Sequence, residues 1–440
     1  MSDRTSSLVA RAGVLDPAAL EAASRQADDP AWMRERREAA WAAAMRLPHP
    51  AEIWPEEWRR TDTSALDLAA VGLATAPTGV PPDTAAVVGP DERAGLLVAA
   101  GGRATVEADG ALGARGVIFS DLAGAVAAHP ALVREHFLRI VPEVDRHRFR
   151  ALHAALWTGG VFLYVPAGVE VALPLVAHTW LGAAGGAVFP HTLVVAGPGS
   201  RVTLVDLLAS AEGTTRQVAT AVAELVVQEG AQVRYVAIRD WATPMWEVGS
   251  LVRARVGRDA AVHTLVVGLG GGVLKVDVES YLDGPGASSE MLGLYFAADG
   301  QHMDFHTLQE HAAPHTTSDL LYKGAVRDTA KTVFAGLIRV HWGAQKTNAF
   351  QSNRNLILSE GARADSIPKL EIMANDLRCT HGSATSRLHE DHIFYLMSRG
   401  LTRAQAVRMI VGGFFAEVFD RIPAQRLRAY LQARIADKMS

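Results

Sequence analysis

Residues 229–236 read EGAQVRYV: a glycine turn, then a run in which Val233 and Tyr235 alternate with Gln232 and Arg234. Alternation of this kind marks a strand with one buried face. The same device recurs as PGSRVTLV at 198–205, GRDAAVHTLV at 257–266, PGASSEML at 285–292 and EGARADSI at 360–367. The steps are uneven, but several fall near 30 residues. A short turn followed by a half-apolar strand, repeated at such a period, is the signature of a solenoid, and strand-like runs make it a β-helix. Each coil then stacks on the next and buries a continuous core that no coil could bury alone. A large β-sandwich would use similar runs; the recurring turn favours the β-helix.

On either side the texture is helical. In DDPAWMRERREAAWAAAMRLP (28–48), Asp29 suits an N-cap and Pro30 the first helical position. Met33, Ala40, Trp41, Ala44 and Met45 follow as the apolar positions. Residues 48–90, rich in Pro, Thr and Asp, read as a long irregular connection. DRHRFRALHAALW (145–157) spaces Phe149, Leu152, His153 and Leu156 as a second helix. Near the C-terminus, EDHIFYLMSRG (390–400) has acids in its first turn and Gly400 at its end. Thr402 and Gln405 form a capping-box pattern for a helix carrying Val407, Ile410, Val411, Phe414, Phe415 and Val418. Gly412 and Gly413 interrupt it at about 1 kcal/mol each, which points to a kink or close packing. Pro423 begins a third helix with Leu427, Tyr430, Leu431 and Ile435 on one face. The expected architecture is mainly β, a parallel β-helix core over 158–384 between a mostly helical region, 1–157, and a helical domain, 385–440.

The 440 residues fit two or three domains, and 49% hydrophobic content supplies a sizeable core. A net charge of −4 gives no electrostatic reason to expect nucleic acid or an anionic membrane as partner. One cysteine excludes an intramolecular disulfide framework, so a reducing cytoplasm is expected. The start, MSDRTSSLVARAGVLD, has no apolar core of a secretory signal. The uncharged run 171–189 contains Pro174, His178 and several glycines and reads as strands and turns rather than a spanning helix.

Catalytic motifs fail. GAVRDTAKT (324–332) lacks the glycine that a phosphate loop places before its lysine, GLGGGV (268–273) misses the dinucleotide pattern, and no G-x-S-x-G elbow occurs. HMDFHTLQEHAAPH holds His302, His306, Glu310, His311 and His315. Two imidazoles and a carboxylate on adjacent strands make a mononuclear metal site, and a metal-dependent solenoid enzyme using His302, His306 and His311 is the rival reading. The favoured reading makes them polar positions on coil faces. Cys379 is followed two residues on by His381, which a strand places on the same face. Arg378 and His381 beside it would lower a thiol pKa, whereas a buried thiol would be inert. One thiolate and one imidazole are too few for an iron–sulfur cluster, so a cluster site here needs ligands from another chain.

The segment PKLEIMANDLRCTHGSATSRLHEDHIFYLMSRGLTRAQAVRMIVGGFFAEVFDRIP (368–423) resembles the C-terminal signature of the SufB/SufD family of iron–sulfur cluster assembly scaffolds. DPAWMRERREAAW (29–41), GVFLYVPAGVEVALPL (160–175), FPHTLVVAGPGSRVTLVD (189–206) and GAQKTNAFQSNRNLILSEGARADSIPKLEI (343–372) resemble the family too. CTHGSAT is similar to the SufD pattern, where SufB usually has HEATTS and further cysteines, although the tail has SufB character. The resemblance implies a right-handed parallel β-helix and a non-catalytic scaffold role. It implies pairing with SufB through the β-helix, or a homodimer when alone, and binding of the ABC-type ATPase SufC through the C-terminal helices. It also implies a transient cluster, shared with SufB, at Cys379 and His381. Phe394, Tyr395, Met397, Arg399, Met409, Phe414, Phe415 and Phe419 are the expected ATPase-facing residues, being more aromatic surface than two helices need for themselves.

Overall fold

A computed structural model describes residues 15–68, 71–74, 87–100, 103–182, 186–213, 215–422 and 424–439. The expectations for residues 1–14, for part of 48–90, for 183–185 and for Pro423 lie outside these. From Gly160 onward the chain alternates between two sheets. In one of them Arg201 pairs with Gln232, Gln232 with Ala261, Ala261 with Ser288 and Ser288 with Thr317, all in parallel. These steps of 27 to 31 residues are the period read from the turns. The fold is mainly β, a parallel β-solenoid of about eight turns with helical termini.

The corners explain the repeat. Gly199, Gly230, Asp259, Gly286, His315 and Lys346 all hold a left-handed backbone, with φ between 52° and 76°. Each donates its N–H to a carbonyl at the corner of the next coil: Gly199 to Glu229 at 2.8 Å, His315 to Gln345 at 2.9 Å, Lys346 to Asp376 at 2.6 Å. Glycine reaches this conformation without steric cost, so the early corners are visible as PG and EG. His315 and Lys346 keep the conformation without glycine, and the signal disappears there. EGARADSI belongs to the opposite corner, since it leads into Arg363–Ile372 of the other sheet.

The lumen is filled by stacked Val, Leu and Ala, joined in later coils by Tyr295, Phe305, Tyr322 and Phe334. At the N-terminal end the lumen is stoppered. Arg103–Ala108 runs antiparallel to Gly95–Ala100, and Ile118–Asp121 runs antiparallel to Gly160–Val165. The short helix Gly110–Ala114 between them packs Leu112 into the core, beside Val117 and Phe119. Three strands therefore occur in the stretch expected to be mostly helical.

Helices cover the outsides. Ala31–Arg46 packs on Arg148–Leu156, whose Phe149, Leu152, His153 and Leu156 are all buried. Pro30, not Asp29, takes the cap position of the first of these. The Asp29 carboxylate is instead buried against Arg37 Nε at 2.6 Å. Met33, Ala40 and Ala44 face the core as expected, but Met45 is exposed. Residues 48–90 include two one-turn helices, Pro50–Ile53 and Pro55–Trp58, the second burying Trp58. Among the described residues no helix is long and apolar enough to cross a membrane.

Candidate functional site

The last coil consists of Arg363–Ile372 and Arg378–Arg387, each at the end of its sheet and paired on one side only. Register sets Cys379 on Ala349, His381 on Gln351, Ser383 on Asn353 and Thr385 on Asn355. Ala349, Gln351, Asn353 and Asn355 are buried, so the alternation directs Cys379 and His381 to the mouth of the lumen. They lie about 6.6 Å apart along the strand, close enough for one ligand to span both. Cys379 is half-buried against Ile338, Val340, Ala344 and Ala349, while His381 is exposed. Burial pushes the thiol pKa up. That corrects the expected lowering: Arg378 alternates to the other face, and desolvation dominates.

His302, His306, His311 and His315 do not converge on one point. His302 Nε2 meets Thr61 Oγ1 at 2.8 Å, and His306 Nε2 lies 3.0 Å from Asp304 Oδ1 and 3.1 Å from Lys275 Nζ. Burial favours a protonated Asp304, but Lys275 and His306 outweigh it and hold the carboxyl well below its usual range. His311 lies on the opposite strand face, buried against Thr316 Oγ1 at 2.7 Å and Ser318 Oγ at 2.8 Å, and burial lowers its pKa to about 4. Glu310 pairs with Arg339 and His341, and His315 is a corner. Among the described residues no group of three or more His, Cys, Asp or Glu is arranged to hold a metal ion. The trio His302, His306 and His311 is thus not brought together, which removes the basis of the metal-enzyme rival.

The C-terminal helices Glu390–Ser398, Arg403–Phe419 and Gln425–Lys438 lie outside the ten-stranded sheet. The capping box of Thr402 and Gln405 is formed, and Gly400 is left-handed at φ 94°. Phe415 and Phe419 are buried with Val411, Val418, Leu431 and Ile435 against Leu207, Ile238, Leu294 and Phe296. They are core residues, not docking residues: apolar spacing shows a face but not what covers it. Phe414 is half-buried beneath Lys323. Phe394 is 74% exposed, Tyr395, Met397 and Met409 are exposed, and Arg399 lies over the Tyr395 ring. Gly412 and Gly413 pack against nothing; a Cβ at either would meet open space, and the helix runs through them.

Residues 179–414 match the family described as SUF system FeS cluster assembly, SufBD core domain. The chain belongs to the SufB/SufD family. An iron–sulfur cluster assembly SufBD family protein of Mycobacterium leprae is 40% identical over 49% of this chain and 57% of its own length. One from Mycobacterium tuberculosis is 40% identical over 49% of this chain and 56% of its own. The iron–sulfur cluster assembly protein SufB of Bacillus subtilis is 31% identical over 71% of this chain and 67% of its own. The chain thus spans somewhat more than half the length of the mycobacterial relatives it matches.

In this SufB/SufD chain the sequence reading missed the polar lumen of the last coils. Gln309, Gln351, Asn353 and Asn355 are all essentially fully buried there. The signal was readable: NAFQSNRNLI places Gln351, Asn353 and Asn355 on the alternate positions that are apolar in earlier coils.

Proposed function

We propose that this chain is a SufD-like, non-catalytic scaffold subunit of an iron–sulfur cluster assembly complex. It joins a SufB-type solenoid at its open last coil, shares a nascent cluster there through Cys379 and His381, and binds a SufC-type ATPase through its C-terminal helices. The observation that carries this reading is the last coil: two ten-residue strands with one free edge each, framing a lumen mouth that presents Cys379 and His381. Free strand edges are templates for pairing with another chain, and solenoids cover their ends. The CTHGSAT segment and the single cysteine support the SufD side of the family, and the single cysteine supports a cytoplasmic setting. Phe394, Tyr395, Met397 and Met409 supply exposed apolar surface for the ATPase. The bare glycines Gly412 and Gly413 leave room for close approach beside it.

The test is co-expression with the SufB-type and SufC-type partners, then anaerobic reconstitution with counts of iron and acid-labile sulfide. The complex holds a cluster and the isolated chain holds none, because two ligands are too few. His381→Ala lowers cluster content without dissociating the complex. Full cluster content in the double variant Cys379→Ser/His381→Ala contradicts the shared site. Assembly of a stable homodimer with the ATPase alone, to the exclusion of the SufB-type chain, contradicts the pairing.

A further inference from the structure

Three amides line the lumen from the strand Asn348–Ile357, and two are fully engaged. Asn353 Nδ2 donates to Tyr295 Oη at 3.1 Å and to the Tyr322 carbonyl at 3.3 Å. Asn355 Nδ2 donates to Asn353 Oδ1 at 2.8 Å, and Asn355 Oδ1 accepts from Tyr295 Oη at 2.6 Å. Gln351 differs. It is 0% exposed, yet neither its Nε2 nor its Oε1 has a hydrogen-bond partner among the described residues. Both atoms lack one, so exchanging N and O in the assignment changes nothing. Nearby Gln309 offers its Nε2 to Ser318 Oγ at 2.6 Å and to the Phe350 carbonyl at 3.2 Å, not to Gln351. A buried amide with no partner is costly, and native chains retain few of them.

The surroundings are built for this amide. It lies against Gly336 of the facing sheet, where a Cβ would come within 2.3 Å of the Gln351 nitrogen. Gly336 has no left-handed backbone to account for glycine there, so the room it leaves for the amide is what the small residue supplies. Toward the mouth, Gln351 pairs in register with His381, and Cys379 sits on the adjacent inward position of the same last strand. Neighbouring strands lie about 4.8 Å apart, so the amide stands one rung behind the candidate ligands.

We propose that Gln351 is a ligand-contacting residue of that mouth: its side-chain N–H donates, from inside the lumen, to an anionic sulfur of the cluster held by Cys379 and His381. The inference rests on the shared-site reading above. An N–H donor aimed at sulfide stabilises the added negative charge of a reduced cluster and raises its potential. Asn353 and Asn355 engage their own amides on Tyr295 and Tyr322, so among the three amides of this strand Gln351 is the one left with a free donor, one rung behind the last coil.

The experiment compares Gln351→Leu and Gln351→Glu in the full chain, alone and in the reconstituted complex. Leucine keeps the bulk and removes both polar atoms; glutamate keeps the shape and acceptors but lacks the donor when ionised. The isolated Gln351→Leu chain is expected to melt at or above the temperature of the unsubstituted chain, because an unpartnered amide has been removed. In the complex both variants assemble, lose at least threefold in cluster content, and shift the potential of what remains to lower values. A lowered melting temperature, or failure of Gln351→Leu to fold, marks a structural amide and overturns the proposal. Unsubstituted cluster content and potential in Gln351→Leu also overturn it. If Cys379→Ser/His381→Ala loses the cluster and Gln351→Leu keeps it, only this inference falls; if both keep it, the site reading falls as well.

Discussion

At its first coil the solenoid is closed by two antiparallel strands, the short helix carrying Leu112, and a layer of helices pinned by buried charge. At its last coil the two strands keep a free edge each, and the inward positions hold Cys379, His381, Ser383 and Thr385 in place of Val and Leu. Both ends are terminations of one repeat, and each must deal with unpaired backbone and an unfilled lumen. The first end fills its lumen from within the chain, although Arg103–Ala108 and Ile118–Asp121 still end their sheets with one free edge each. The second leaves its lumen unfilled, to be covered by another molecule under the reading proposed above, and the residues with chemistry are at that end. Substitutions at the closed end should therefore act on folding, and those at the open end on association.

The largest effect is expected at the closed end. The side chains of Arg37 and Asp29 are 1% and 0% exposed and 2.6 Å apart, and Arg37 Nη1 also donates to the carbonyls of Ala155 and Trp157, both at 2.9 Å. Arg37→Ala strands the Asp29 carboxylate, at a cost of about 3–5 kcal/mol. Urea denaturation reads this as a lower midpoint, with partner binding at 25 °C retained by whatever remains folded. A loss below 1 kcal/mol would show that this end is not fixed by the pair.

Next comes a pH effect from the first coils. Burial lowers the His178 pKa to about 4, with Asp240 opposing, and burial also lowers His147 and His153 well below their ordinary value. A histidine with a depressed folded pKa stabilises the neutral form. Its contribution is complete above the unfolded value of about 6.5 and is lost as pH falls from there toward 4. For His178 the full loss is on the order of 3 kcal/mol. Stability in urea should fall between pH 7 and pH 5, and His178→Leu should flatten that fall. An identical acid limb in the variant would contradict the assignment.

At the open end Leu370 and Ile372 are exposed on the last coil. Leu370→Glu should change chain stability by no more than about 0.5 kcal/mol, the usual range for a surface site. In titrations it should weaken binding to a SufB-type solenoid at least tenfold. The smallest effect is expected on the C-terminal helices. Arg399→Glu reverses an exposed charge beside Tyr395. It should leave stability and solenoid pairing unchanged while reducing ATPase capture several-fold in pull-downs.

Much of this contrast was legible in the sequence, and unevenly. The repeat showed where glycine marks the left-handed corners, as at Gly199 and Gly230, and faded where His315 and Lys346 hold the same backbone. The pair Cys379 and His381 was legible because strand alternation fixes a common face. The thiol's raised pKa was not, since the burial that causes it comes from Ile338, Val340 and Ala344, more than 30 residues away in the chain. Phe415 and Phe419 read as docking residues because an amphipathic pattern does not say whether a sheet or a partner covers it. The stopper strands carry no such signal because Arg103–Ala108 and Ile118–Asp121 pair antiparallel, outside the parallel repeat whose glycine corners mark the earlier coils.

The central claim is that the open end, and not the closed one, receives the partner solenoid. Amide hydrogen exchange of the chain, alone and in complex with the SufB-type subunit, tests it most directly. The account predicts new protection across Arg363–Ile372 and Arg378–Arg387, including Cys379 and His381, with Arg103–Ala108 unchanged. Protection that appears at Arg103–Ala108 while the last two strands exchange as in the free chain would contradict it.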